Sequence, residues 1–249
     1  MNLFMDAWSY LTTGANWSGE TGIGMRIAQH VWYSFLTVAL SVLIAVPLGM
    51  IIGHTRRGSA LVVGFANAMR ALPTLGLLTF FVLLMGLGLI PPLLALLTVG
   101  IPPLLAGAYA GVANVDPNVV DASRAMGMTE SQILLRVELP NALPILLSGL
   151  RAATLQVVAT ATIAAYVNLG GLGRYIFDGI GLYKYDRVLV GAILVAALAL
   201  LLDGLLAFLV WASAPGVRRW RRPGELAARP VITADRPRLA ESSQPSTAE

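Results

Sequence analysis

The residues of this 249-residue chain that could do chemistry are few and unevenly placed. Asp121, Arg124, Glu130, Arg136 and Glu138 crowd into one polar island at residues 114–140. Arg151, Gln156 and Asp203 stand inside long apolar runs, and His30 and His54 sit beside the ends of one. Cysteine is absent, which excludes disulfides, zinc–thiolate sites and thiol catalysis. A membrane-embedded enzyme would need paired acids, a metal-ligating set, or a nucleophile beside its base. The apolar runs offer one carboxylate, Asp203, and no histidine well inside them. What remains is the chemistry of placed charge, not of bond making. The two histidines read as interfacial residues.

The elements that position these groups follow from composition. The chain is 57% hydrophobic and 12% charged, against about 25% charged in soluble domains. Lipid is the solvent that accommodates such a surface. The net charge of +4 is not a nucleic-acid footprint, because the arginines sit at the ends of apolar runs and in the tail. The expected fold is an all-α membrane protein of about five transmembrane helices, at residues 31–52, 72–90, 93–112, 143–167 and 188–211. Pro47 is expected to kink the first span, Pro91-Pro92 to mark a turn, and Pro102-Pro103 to break the third span near its middle. Residues 59–71 read as an interfacial helix leading into the second span.

Residues 1–29 read as an extramembrane or interfacial segment without a cleavable signal, residues 30–212 as the membrane domain, and residues 213–249 as a disordered tail. One set of loops carries Arg56, Arg57, Arg70, Arg124, Arg136 and the tail cluster Arg218, Arg219, Arg221 and Arg222. The other set carries Arg26, Arg174, Lys184 and Arg187, a nine-to-four bias. By the positive-inside rule the N-terminus is outside, and the island and C-terminus are cytoplasmic.

The island writes helix, sharp turn, helix. Asp116-Pro117 starts the first helix, with Asp capping free N–H groups and Pro fitting the first turn. Gly127 falls where a left-handed C-terminal cap would end it. Thr129-Glu130-Ser131-Gln132 is a capping box that opens the second. Val119, Ala122 and Met126 share one side of the first helix. Small residues there permit close approach, and Met126 is a knob able to fill a cleft on a partner.

The spacing Asp121-Ala122-Ser123, three residues, Gly127, nine residues, Val137-Glu138-Leu139-Pro140 resembles the Glu-Ala-Ala…Gly…Ile-x-Leu-Pro signature of ABC importer permeases. The departures are Asp for Glu, Ser for Ala and Val for Ile, and Asp121 is one methylene shorter than the family's acid. The resemblance implies a coupling loop docked in a groove of an ATPase subunit through Asp121, Ala122, Ser123, Arg124, Met126, Gly127, Glu130, Leu139 and Pro140. Gly170, Gly171 and Gly173, followed by Ile176-Phe177-Asp178-Gly179-Ile180, look like the outer loop shared by osmoprotectant and methionine permeases. Arg70-Ala71-Leu72-Pro73-Thr74 and Leu200-Leu201-Leu202-Asp203 look closer to the osmoprotectant branch, whose solutes are glycine betaine, carnitine or choline. A methionine or other amino-acid importer is the alternative, and an ATP-independent transporter a remoter one.

The resemblance further implies partners: an ATPase dimer, a second permease subunit, the same or similar, and an extracytoplasmic solute-binding protein. The chain has no Walker A loop, so ATP belongs to the partner ATPase and no cofactor or metal is expected here. Arg151, Gln156, Thr160 and Asn168 are candidates for the translocation path, with snorkelling to the cytoplasmic interface an equal reading for Arg151 and helix-to-helix bonding the blander one for Gln156 and Thr160. Asp203 is a candidate partner of Arg151.

Overall fold

The computed structural model describes residues 2–213. The expected disordered tail and its arginine cluster lie outside the described residues. In chain order the helices are α1 (Leu3–Thr12), α2 (Ile23–Thr55), α3 (Ser59–Ala71), α4 (Thr74–Met85), α5 (Ile90–Ala113), α6 (Pro117–Ala125), α7 (Glu130–Ile133), α8 (Leu139–Thr160), α9 (Gly173–Gly181) and α10 (Tyr185–Ser213). No strand occurs among the described residues. A π-helical turn, Leu134–Glu138, joins α7 to α8, and a 3-10 segment, Ala161–Val167, extends α8.

Four helical stretches are long and apolar enough to cross a bilayer: Ile23–Thr55, Ile90–Ala113, Glu130–Val167 and Tyr185–Ser213. A fifth candidate is a bent pair, Gly64–Ala71 with Thr74–Met85, turned by 79°. The helix expected at 59–71 is α3, and the second span expected at 72–90 is the shorter α4, so the bend falls at the junction of the two. Leu72 precedes Pro73, whose ring excludes the helical conformation there, and Leu72 is extended at φ −76°, ψ 129°. The apolar run continues across the break, but the helix does not.

The two Pro-Pro pairs behave differently from expectation. Pro91 and Pro92 occupy the first turn of α5, where a missing N–H costs nothing, and the preceding turn lies at 86–89. Pro102 and Pro103 are buried inside α5, which runs on without a break. Pro47 lies inside the 33-residue α2. That helix also begins at Ile23, well before residue 31. It can do so because its polar residues find partners: Gln29 Oε1 accepts from the Gly171 N–H at 2.9 Å, and His30 Nε2 lies 3.0 Å from the Val158 carbonyl. His30 is thus a buried inter-helix residue, 1% exposed, and not an interfacial one.

Helix α5 packs between α2 and α8, and α3 and α4 lie against its other faces. Small residues line the seams. A Cβ on Gly107 would sit 2.9 Å from Gly149 Cα, so α5 and α8 touch backbone to backbone. Gly100 meets Val157, Gly107 meets Gly149 and Gly111 meets Ala142, which makes the two helices antiparallel. Ala45, Leu104, Leu105 and Ala153 form the core where α2, α5 and α8 meet. Helix α10 packs on α8, α9 and α1.

Candidate coupling and pathway sites

The island folds as its sequence dictates. Asp116 Oδ1 accepts from the Asn118 N–H at 2.9 Å, and Pro117 opens α6. Gly127 has φ +81°, the Met128 N–H bonds to Ser123 O at 3.2 Å, and the Gly127 N–H bonds to Arg124 O at 2.9 Å. These two bonds and the left-handed glycine make a Schellman cap. Thr129 and Gln132 cap α7 reciprocally. A small apolar core of Val115, Val120 and Ile133, with Met128 against it, holds the two short helices together.

The sequence-predicted coupling residues divide by exposure. Ser123 is buried and its hydroxyl donates to Val119 O at 2.8 Å. Asp121, Ala122, Arg124, Met126, Gly127 and Glu130 are exposed, Met126 by 74% and its neighbour Val119 by 44%. Helix α6 thus turns Val120 and Ser123 inward and leaves Val119, Ala122 and Met126 facing outward. Leu139 and Pro140 form the first turn of α8.

A chain of charged contacts ties this island to α2. Arg124 grips Glu130 with two bonds, Nε at 2.9 Å and Nη2 at 3.1 Å, and reaches Asp121 Oδ1 at 3.1 Å. Glu130 Oε2 lies 3.0 Å from His54 Nε2, and the other ring nitrogen of His54 meets Glu138 Oε2 at 2.5 Å. The hydrogen bond to Glu130 raises the Arg124 guanidinium above its ordinary value. Glu138 is 3% exposed, so its carboxylate depends on this partner. Arg56, left-handed at φ 54°, adds a bond from Nη2 to Val115 O at 3.3 Å. His54 does end a span, as its sequence position suggests, but its ring is the keystone of an ion network. Residues 54 and 138 are 84 positions apart, and no local pattern announces their meeting.

Of the four candidate path residues, the structure brings two together. Gln156 and Thr160 line a cavity of about 220 Å³ with Arg70, Thr74 and Thr98. Arg151 lies elsewhere and makes a two-pronged bond to Asp203, Nε to Oδ1 at 2.5 Å and Nη2 to Oδ2 at 2.7 Å. Asn168 ends the 3-10 segment in the left-handed conformation at φ 64°, and its Oδ1 accepts from Arg174 at 3.3 Å. Arg70 is placed beside Gln156 and Thr160, near the end of α8 remote from the island, which corrects its assignment to the island-side loops. Arg70 stands in the last turn of α3, and sequence reading gave it no place beside Gln156 because the two are 86 positions apart.

The glycine loop packs on α2. Gly171 has φ +90° and donates to Gln29, while a Cβ on Gly170 would collide with Gln29 and one on Gly173 with the Thr162 carbonyl. Nearby, Tyr10, Arg26, Arg174, Tyr175, Lys184 and Arg187 border a concavity of about 380 Å³. Burial pushes the Tyr175 phenol up to about 12, with help from Tyr10.

Residues 45–212 match the family model described as "Binding-protein-dependent transport system inner membrane component". The chain is 36% identical over 182 residues to the glycine betaine/carnitine/choline transport system permease protein OpuCB of Bacillus subtilis, covering 73% of this chain and 84% of that protein. It is 35% identical over 198 residues to the carnitine transport permease protein OpuCB of Listeria monocytogenes, covering 79% and 91%. It is 34% identical over 182 residues to the osmoprotectant import permease protein OsmY of Salmonella typhimurium, covering 72% and 77%. Among solved structures, an inward-facing form of the MetNI methionine ABC transporter superposes with a TM-score of 0.67 at 22% identity, covering 76% of this chain and 94% of that one. That likeness carries the fold. The family match carries more: the chain belongs to the inner-membrane components of binding-protein-dependent transport systems.

Proposed function

We propose that this chain is the permease subunit of an ATP-driven importer for quaternary ammonium osmoprotectants such as glycine betaine, carnitine or choline. The observation that carries the solute class is the 34–36% identity to three transport permeases named for those solutes or for osmoprotectants. The observation that supports coupling is the exposed apolar side of α6, held rigid by two caps and tied through His54 to α2.

In this reading the bilayer holds α2, α5, α8, α10 and the bent α3–α4 pair. A partner ATPase dimer hydrolyses ATP, and this chain binds no cofactor. Val119, Ala122 and Met126 dock in the ATPase groove, and Asp121, Arg124 and Glu130 frame them. Closure of the ATPase pair moves the island. The Arg124–Glu130–His54–Glu138 chain and the continuous α7–α8 helix pass that motion to the spans, which alternate between outward-open and inward-open states. A second permease subunit completes the path, and an extracytoplasmic binding protein delivers the solute. The island and C-terminus are cytoplasmic and the N-terminus is outside. Among the described residues the basic charges are balanced, Arg56, Arg57, Arg124 and Arg136 against Arg26, Arg174, Lys184 and Arg187, so the orientation rests on the four tail arginines.

The test is uptake of labelled glycine betaine, choline and methionine into vesicles carrying this chain with its ATPase and binding protein, with and without ATP. ATP-dependent uptake of betaine or choline supports the proposal. Uptake of methionine alone keeps the coupling and overturns the solute, and uptake indifferent to ATP overturns the importer.

A further inference from the structure

The cavity at the bend between α3 and α4 is bordered by two donor-rich side chains without a partner among the described residues. Arg70 makes no hydrogen bond or ion pair among the described residues, and neither does the Gln156 carboxamide. Both are exposed and border a half-open concavity of about 220 Å³ with Thr74, Thr98 and Thr160. At about 30 Å³ per water, that space takes roughly seven waters or one small solute. Thr98 and Thr160 donate their hydroxyl protons to Ala95 O and Gln156 O, both at 2.7 Å, so they offer the cavity only lone pairs. The free donors are the guanidinium and the carboxamide.

The depth of the cavity makes the guanidinium informative. Thr98 is eight residues from the Ile90 end of α5, or ~12 Å at the helical rise, and ~22 Å from the Ala113 end. A charge at such a depth is costly unless it faces water or an anion. Arg70 also borders a second cavity, of about 130 Å³, with Asn67, Ala106 and Tyr109. The two lie at successive levels of α5, displaced from Thr98 toward the island. Arg70 therefore stands between consecutive openings along one helix, and not at an isolated dent.

We propose that this cavity is a solute subsite that holds a carboxylate, with Arg70 as its anion contact and Gln156 as a second donor. The ligand class is a small zwitterion bearing a carboxylate. Among the described residues no aromatic borders the cavity, so they give it no ring face to hold a quaternary ammonium group. Glycine betaine and carnitine carry a carboxylate and choline does not, so Arg70 would separate them. The inference rests on the importer reading.

The experiment measures ATP-dependent uptake of glycine betaine and choline by the complete transporter, in vesicles, for the wild type, Arg70→Gln and Arg70→Lys. Loss of a charge-assisted bond predicts a fall in betaine uptake of about tenfold or more in Arg70→Gln. Choline uptake changes less than threefold, and Arg70→Lys, which keeps the charge, recovers a large part of betaine uptake. Equal loss for both solutes overturns the subsite, because it marks Arg70 as a structural or subunit-interface residue. Unchanged betaine uptake in Arg70→Gln overturns it too, as does equal loss of betaine uptake in Arg70→Lys and Arg70→Gln. Should the wild type carry only methionine, the osmoprotectant reading fails on its own. The same two variants are then compared on methionine, also a carboxylate zwitterion, and failure of Arg70→Lys to outperform Arg70→Gln overturns the subsite.

Discussion

His54, the next-to-last residue of α2, places one ring nitrogen 2.5 Å from Glu138 and the other 3.0 Å from Glu130. One residue of a membrane-spanning helix thereby holds both the start of α7 and the end of the π-helical turn that leads into α8. Removing one member of a buried ion pair costs about 3–5 kcal/mol. His54→Ala leaves the Glu138 carboxylate, 3% exposed, without its partner. The expected outcome is a lower Tm of the purified protein and uptake reduced at least tenfold while ATP hydrolysis continues. The double variant His54→Leu/Glu138→Leu removes the unpaired charge and recovers Tm, but not coupled uptake. A single measurement of ATP hydrolysed per solute imported distinguishes loss of coupling from loss of folding.

Gly127 carries the φ of +81° that closes the Schellman cap. Gly127→Ala forces a Cβ into the left-handed region, at about 1–2 kcal/mol. Gly127→Pro is worse: its ring fixes φ at about −65° and removes the N–H that bonds to Arg124 O. Uptake is expected to fall moderately in the first and vanish in the second, with normal amounts of both in membrane fractions. Normal uptake by Gly127→Pro at normal abundance would refute the joint.

Ala122 and Met126 are exposed and touch nothing that their replacement would leave unpaired. Ala122→Trp and Met126→Ala should leave Tm within a degree or two of wild type. If these residues fill a groove, both weaken ATPase binding, by about tenfold or more for a knob at the centre of an interface. The quantity to compare is the Kd of the ATPase for detergent-solubilised permease.

Arg151 and Asp203 face each other from α8 and α10. Arg151→Leu and Asp203→Leu each strand a charge at membrane depth, so each should lower the yield of folded protein. The exchange Arg151→Asp with Asp203→Arg restores the pair and should restore yield. Size-exclusion profiles of the three variants give the comparison, and failure of the exchange would show that one side chain has a further duty.

The island was readable from sequence because its structure is local. Asp116, Gly127 and the Thr129–Gln132 box each act within a few residues, and each fixes a backbone bond by its own side chain or φ. The spans were readable because length and hydropathy are sums over many residues. Long-range relations were not. The side chain of Gln29 lets α2 start early by accepting from Gly171, which is 142 positions away. Nothing near residue 54 points to Glu138. The boundary at Leu72-Pro73 carried a local signal, the residue before proline, and falls between the elements expected at 59–71 and 72–90, but the 79° angle across it had no local signal. Pro102-Pro103 carried the same kind of signal, yet α5 runs through them as one helix, with both prolines buried and α5 packed on α2 and α8. Neighbouring helices decide which proline breaks a span, and neighbours are not visible in a single run of letters.

The contact of Gly107 with Gly149 leaves no room for side chains to act as bearings between α5 and α8. If the two helices move together, they make one lever arm. The 22 residues of α8 make an arm of about 33 Å. A tilt of about 5° at the island then swings the far end by about 3 Å, given that length. That is the scale on which a small opening closes. The stroke needs no internal rearrangement of the pair, only a fulcrum, and the place to look for one is where the arm bears on α2 and α10.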